Sequence, residues 1–367
     1  MKHPSTSTTQ QQQDPPSSTH PAALHCDHYY ARLPPKMTTT EEGATTLCFP
    51  QRHNDSCRRP VRPHSEAVFY YTVLSSIALL TVVLNLLVVI SISHFRKLHT
   101  PTNLLLLSLA VSDLLVGLLV MPVETVRITD SCWRMGTYMC SLASLLSYIL
   151  TSASVGNVVL ISVERYVAIC YPLHYHTMVT QQRTKACVGL CWFSSVLYNG
   201  AILKDHLAHS SRLTPCQGEC VVVVTSVTDT VDLVFTFIGP CIVIPVLYLR
   251  VLVVAVAQAR AMHLQVAMTA PGGADRKSER KAARTLGILV LVFLACLCPY
   301  FYPVLAEKYT THSDSQWLWS IMAWMVYINS TLNPLIYALF YPWFRRAIRL
   351  IVTLRIFQDG SAQTSVL

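Results

Sequence analysis

From about Tyr70 to Phe340 the chain is a succession of apolar stretches, each long enough to cross about 30 Å of bilayer hydrocarbon as a helix rising about 1.5 Å per residue. Seven are present, at roughly 68–93, 103–126, 137–168, 185–204, 224–256, 282–305 and 315–339. In hydrocarbon every backbone N–H and C=O needs a partner within its own segment, so such stretches fold as helices packed side by side. The expected fold class is an all-α membrane protein, a seven-transmembrane helix bundle. A shorter amphipathic stretch, YPWFRRAIRLIVTLRI, follows at the C-terminal side of the bundle. Only 13% of residues are charged, about half the share of a soluble domain, and no repeat of 20–50 residues recurs, which excludes solenoids and propellers.

The excess of positive charge, +9, is distributed by topology. Arg96 and Lys97 follow the first stretch, and Arg183 and Lys185 follow the third. Arg276, Lys277, Arg280, Lys281 and Arg284 follow the fifth, and Arg345, Arg346, Arg349 and Arg355 follow the seventh. By the positive-inside rule these loops are cytoplasmic and the N-terminus lies outside, so the basic residues meet lipid headgroups rather than nucleic acid. Residues 1–66, rich in Ser, Thr, Gln and Pro, are expected to be a disordered extracellular tail, because they hold too little apolar surface to offset ordering. Four units follow: the tail, a seven-transmembrane bundle at 67–340, the amphipathic stretch at 341–356 and a short cytoplasmic tail at 357–367. No apolar run follows Met1, so the first stretch is expected to serve as the targeting signal. Cys26, Cys48 and Cys57 and the sequon Asn54-Asp55-Ser56 suit an oxidising, glycosylating compartment, with Asn54 the expected glycan site. Thirteen cysteines without a CxxC pair argue against a zinc or redox scaffold.

Charges at membrane depth are costly and mark function. Asp113 sits in LSLAVSDLLVG, and Asn85, Asn329 and Asn333 are positioned to share its polar cluster, as a sodium or water site or as a static hydrogen-bond network. Glu164-Arg165-Tyr166 ends the third stretch. Arg165 keeps its proton and needs a partner, for which Glu279 at the start of the sixth stretch is a candidate; the bland alternative is an arginine snorkelling to headgroups. Asp229 and Asp232, three apart, share a helix face near the outer end of the fifth stretch. A carboxylate facing a bundle cavity there suits an ammonium ligand, whereas one at the helix mouth is merely solvated. Glu124 is a rival acid, although Arg127 at i+3 is placed to pair with it. Tyr300, Phe301, Tyr302, Trp324 and Tyr327 gather near the outer halves of the last two stretches, either as aromatic walls around a cation or as an interfacial belt.

Asn85, Asp113 in LSLAVSD, Glu164-Arg165-Tyr166, Trp192, Pro240 with Tyr248, Cys296 with Pro299, and Asn333-Pro334-Leu335-Ile336-Tyr337, in that order over 68–350, resemble the landmarks of rhodopsin-like (class A) G-protein-coupled receptors. More narrowly, the run from Asn329 to Phe344 is similar to the NSxxNPxxYxxxYxWF signature of trace amine-associated receptors, as are ISISHFRKLHTPTNLLLLSLAVSD, DSCW and ERKAARTLGI. The resemblance implies a plasma-membrane receptor that senses small amines, as an olfactory receptor in neuronal cilia, and signals through a stimulatory heterotrimeric G protein to raise cyclic AMP, with no cofactor. It further implies a Cys140–Cys220 disulfide, a second bridge from Cys216 to an N-terminal cysteine, here Cys57, a membrane-surface helix from Tyr341, and an Arg165 that opens to admit the G protein while Tyr248 and Tyr337 swing beneath it.

Departures from the family sharpen the expectation. The position eighteen residues before Arg165, where aminergic receptors carry the ammonium-binding Asp, is Ser147. Asp232, eight residues before Pro240, falls where a group of fish trace-amine receptors has an alternative acid. It is therefore the expected counter-ion, with the apolar part of the amine toward Ser147, Tyr148 and Tyr327. A single acid favours a monoamine, although Asp229 or Glu124 would be placed to receive a second charge. Leu297 stands at the usual switch tryptophan, so either Phe293 one turn below and neighbouring aromatics run the switch, or basal and stimulated activity differ from those of relatives. A transporter would need repeats or broken helices, and a metalloenzyme would need ligand pairs such as HExxH; neither is present. A class A receptor for a non-amine ligand, with Asp232 structural, is the competing reading.

Overall fold

The computed structural model describes residues 45–363 apart from 52–55, 61–62, 131, 205–206, 209–217, 219, 221, 223–225, 267–286, 301–315 and 359–360. Seven long helical segments in the described residues follow the apolar stretches: α1 (His64–His94), α2 (Pro101–Thr129), α3 (Gly136–Cys170), α5 (Gln181–Ile202), α6 (226–266), α7 (Gly287–Tyr300) and α8 (Gln316–Phe340). Between α3 and α5 runs the short α4 (Pro172–Met178), and after α8 comes α9 (Pro342–Val352).

Local chemistry sets the helix ends. Thr100 caps α2 by accepting from the Asn103 backbone N–H at 3.3 Å, with Pro101 at the first position, where its missing N–H costs nothing. Thr180 caps α5 through the Arg183 N–H in the same way. Pro172 and Pro342 open α4 and α9. Proline inside a helix removes one ladder bond and crowds the carbonyl four residues earlier. For Pro122 and Pro240 that carbonyl belongs to Leu118 and Thr236, and each falls in a π turn, Val116–Val120 in α2 and Leu233–Ile238 in α6. The widened turn relieves the clash and resets the register of what precedes it.

The bundle buries a continuous core that includes Ile92, Leu109, Val158, Phe293 and Tyr337. A second cluster near the other end holds Met121, Leu150, Trp324 and Tyr327. Large apolar side chains such as Leu79, Leu118, Phe193, Phe235 and Leu249 point away from the core, as a lipid-facing surface requires. In α9, Trp343, Phe344 and Ala347 are buried while Arg345, Arg346 and Arg349 are exposed. Arg345 also donates to the Ala338 and Leu339 carbonyls at 3.0 and 2.8 Å, satisfying the C-terminal end of α8.

The expectation of a featureless tail over 1–66 is corrected in its last third. Thr45–Leu47 (β1) pairs antiparallel with Arg58–Pro60 (β2), and Cys48 is disulfide-bonded to Cys132 in the connection between α2 and α3. Covalent attachment to the bundle supplies the order that the composition lacks. Helix α1 likewise begins at His64, inside the stretch assigned to the tail.

Candidate functional site

Three polar regions of the bundle bear on function among the described residues. The first surrounds Asp113, which is wholly buried in α2. Its Oδ1 accepts from the Ser330 hydroxyl at 2.8 Å and the Ser154 hydroxyl at 3.2 Å, and its Oδ2 accepts from Asn333 Nδ2 at 2.8 Å. Asn85 Nδ2 donates to the Ser330 carbonyl at 2.9 Å, and Thr81 shares a hydrogen bond with Thr331 at 2.5 Å, tying α1 to α8. The expected cluster of Asp113, Asn85 and Asn333 is thus assembled, although Asn85 joins through backbone rather than through the carboxylate. Asn329 Oδ1 is buried with no hydrogen-bond partner among the described residues, and Asn329 lines one small cavity with Ser154, Ser330, Phe293 and Leu297. Ser154 and Ser330 thus link the cavity to the Asp113 carboxylate; oxygen ligands of these types suit a hard cation.

The second group lies at the other end of α3. Arg165 donates from Nε to Glu164 Oε2 and from a terminal nitrogen to Glu164 Oε1, both at 2.6 Å, with a further bond to Thr102 Oγ1 at 2.5 Å. Glu164 Oε1 also accepts from Thr102 at 2.9 Å and from Tyr175 of α4 at 2.5 Å. Burial, followed by the nearby carboxylate, pushes the Tyr175 phenol above its ordinary value. The partner that Arg165 finds among the described residues is therefore its neighbour Glu164. Glu279, the expected partner, lies outside the described residues. Beneath Arg165 a small cavity is lined by Leu289, Ile336, Tyr337 and Tyr341. Tyr248 of α6 packs onto Gly287 so closely that a Cβ there would fall 2.0 Å from the phenol oxygen.

The third group is at the disulfide end. Ser147 and Tyr327 share a hydrogen bond at 2.9 Å, Tyr327 meets Trp324 edge to face at 6.2 Å, and Tyr148 is half-buried nearby on α3. Glu124 is buried and its Oε2 lies 3.0 Å from Arg127 Nε, as the i+3 spacing anticipates. Asp232 is half-buried on α6, its Oδ1 accepting from Thr236 at 2.7 Å across the π turn and from Tyr198 of α5 at 3.2 Å. Asp229 shares that helix, but its side chain, like Phe301, Asn54 and Cys216, lies outside the described residues, and with Cys216 so does the expected bridge to Cys57. Over this end Cys140 is bonded to Cys220, as the resemblance implied. Gly218 sits against the second disulfide. Its φ of +99° and the 2.6 Å that would separate a Cβ from Cys48 Cβ both require glycine.

Sequence reasoning missed Ser154, Thr102, Tyr175, Tyr198 and Cys132. The first four are polar residues in or beside apolar helices, a visible signal, but small hydroxyls bond their own helix backbone too often for the type alone to select them.

Seven spanning segments, a buried aspartate joined to α8 and an arginine latched at the end of α3 are the architecture of a seven-helix receptor. The family model described as 7 transmembrane receptor (rhodopsin family) matches residues 84–337. Trace amine-associated receptor 13c of Danio rerio is 37% identical over 341 residues, spanning 90% of this chain and 98% of the relative. Trace amine-associated receptor 9 of Mus musculus is 37% identical (89% and 96%), and receptor 7a of the same organism 36% (88% and 92%). The chain belongs to the trace amine-associated receptors of the rhodopsin family; it is a multi-pass plasma-membrane receptor and not an enzyme.

Proposed function

We propose that the receptor senses small amines, with the ammonium group held by Asp232 at the end of the bundle closed by the disulfides, and that it signals through a stimulatory G protein to raise cyclic AMP in olfactory cilia. The N-terminus then lies outside the cell and the Arg165 end inside, in keeping with the basic loops. The observation that carries the amine reading is the exchange of anchors: Ser147 is committed to Tyr327, while Asp232 supplies a carboxylate on α6. The relatives, named as trace amine receptors, support the same ligand class. Tyr300, Trp324 and Tyr327, together with Phe301, would supply aromatic faces for the cation. Arg165, Tyr248, Tyr337 and the Asn333-Pro334 pair would carry the change to the G protein.

A second reading has its own observation. Asp232 Oδ1 already accepts two hydrogen bonds, so the carboxylate can also be read as a strut between α5 and α6 in a receptor for a non-amine ligand. The deciding experiment is a cyclic-AMP screen of protonated monoamines on wild type and Asp232→Asn at matched surface levels. Loss of one charge-assisted contact in a partly buried site costs about 2 kcal/mol, or roughly thirtyfold in potency. Equal responses of both proteins would move the anchor elsewhere, and silence of a well-expressed wild type would favour the non-amine reading.

A further inference from the structure

Asp232 is not the only acid at the disulfide end. Glu124 is 8% exposed, and its Oε2 has no hydrogen-bond partner among the described residues even though the Arg127 guanidinium stands 3.0 Å away. On the same helix face Met121 and Ile128, three residues before and four residues after Glu124, pack into the cluster of Trp324 and Tyr327, and Tyr327 holds Ser147. The Glu124–Arg127 pair therefore belongs to the aromatic cluster that replaces the usual ammonium anchor. A buried carboxylate short of hydrogen bonds is a strong attractor for a second ammonium, unless a cation already occupies its field.

We propose that Arg127 is a specificity-determining residue: paired with Glu124, it cancels the second negative charge of the pocket and restricts the receptor to ligands carrying one ammonium group. This rests on the amine reading above. A diamine reaching from Asp232 toward the aromatic cluster would bring its second charge against a neutral ion pair, with Arg127 itself repelling it. Removing the guanidinium unmasks Glu124 and creates a second ammonium site.

The test measures, in cells with matched surface expression, the potency ratio between each member of a homologous series of diaminoalkanes and the monoamine of the same length. Wild type is expected to prefer the monoamine. Arg127→Gln and Arg127→Met, the latter keeping the packing of the stem, are expected to shift the ratio toward some diamine by about tenfold or more. Arg127→Lys, which keeps the charge, holds the wild-type ratio, and the double variant Glu124→Gln with Arg127→Gln returns to it. A wild type that prefers diamines overturns the inference even if no variant reaches the surface. An unchanged ratio in the neutral variants, or a gain that survives loss of Glu124, also overturns it. Asp232→Asn run in parallel separates the two failures: a wild type silent to every amine ends the amine reading and this inference with it, whereas monoamine responses that need Asp232 while Arg127 has no effect on the ratio end this inference alone.

Discussion

Replacing Glu164 with glutamine is expected to raise signalling without ligand. In the latched arrangement Arg165 holds Glu164 through two contacts of 2.6 Å, and Glu164 Oε1 additionally accepts from Thr102 and Tyr175. The pair is well sheltered, with 17% of the arginine and 4% of the glutamate side chain exposed, so solvent screens it little. Glutamine keeps the shape but removes the charge, and its amide nitrogen turns a donor toward one of the existing donors. Hydrogen bonds to charged groups contribute about 1.5–3 kcal/mol each, and glutamine retains one acceptor, so a net loss of about 2 kcal/mol is a fair magnitude. If the latch is open in the signalling state, that loss moves the equilibrium about thirtyfold toward it. The assay is nucleotide exchange on a panel of G proteins in membranes with equal receptor content and no added ligand. Basal exchange within about twofold of wild type, with receptor content matched, would refute the argument that the Glu164–Arg165 pair restrains the receptor.

Two further outcomes follow from the packing and the polar core. Gly287→Ala would force Tyr248 from its notch, since the new Cβ falls 2.0 Å from the phenol oxygen; a loss of about 1–3 kcal/mol in thermal unfolding of purified receptor is expected, and Tyr248→Ala in the same chain should recover much of it. If the oxygen set around Asp113, Ser154, Ser330 and Asn329 holds sodium when the receptor is unliganded, raising sodium at constant ionic strength should reduce agonist potency. Asp113→Asn should abolish that dependence, and a sodium effect that survives this substitution would rule out the site.

Much of the molecule was legible because hydrocarbon leaves a chain few choices. The seven helices and the amphipathic α9 follow from run length and from the alternation of Trp343, Phe344 and Ala347 with arginines. Asp113 stood out as a charge that no lipid-facing position tolerates, and Arg127 as a partner at helical spacing from Glu124. The class of Arg165 was equally visible, but not the way α2 and α4 bring Thr102 and Tyr175 to the Glu164 carboxylate beside it, because that depends on how the helices pack.

The order in the late N-terminal segment was hidden for a related reason. Its composition alone gives no core, and the covalent tie from Cys48 to Cys132, 84 residues away, fastens the segment to the connection between α2 and α3. The number of spans, their apolar faces and the residues too costly to bury without purpose are written in the amino-acid order, since those depend on transfer from water and on backbone satisfaction within each segment. Which polar groups meet is a matter of packing: Asp113 with Ser154, Ser330 and Asn333, Asp232 with Tyr198, and Ser147 with Tyr327. Such meetings turn on helix rotation and on the π turns at Val116–Val120 and Leu233–Ile238, where each residue along a helix swings a side chain by about 100°.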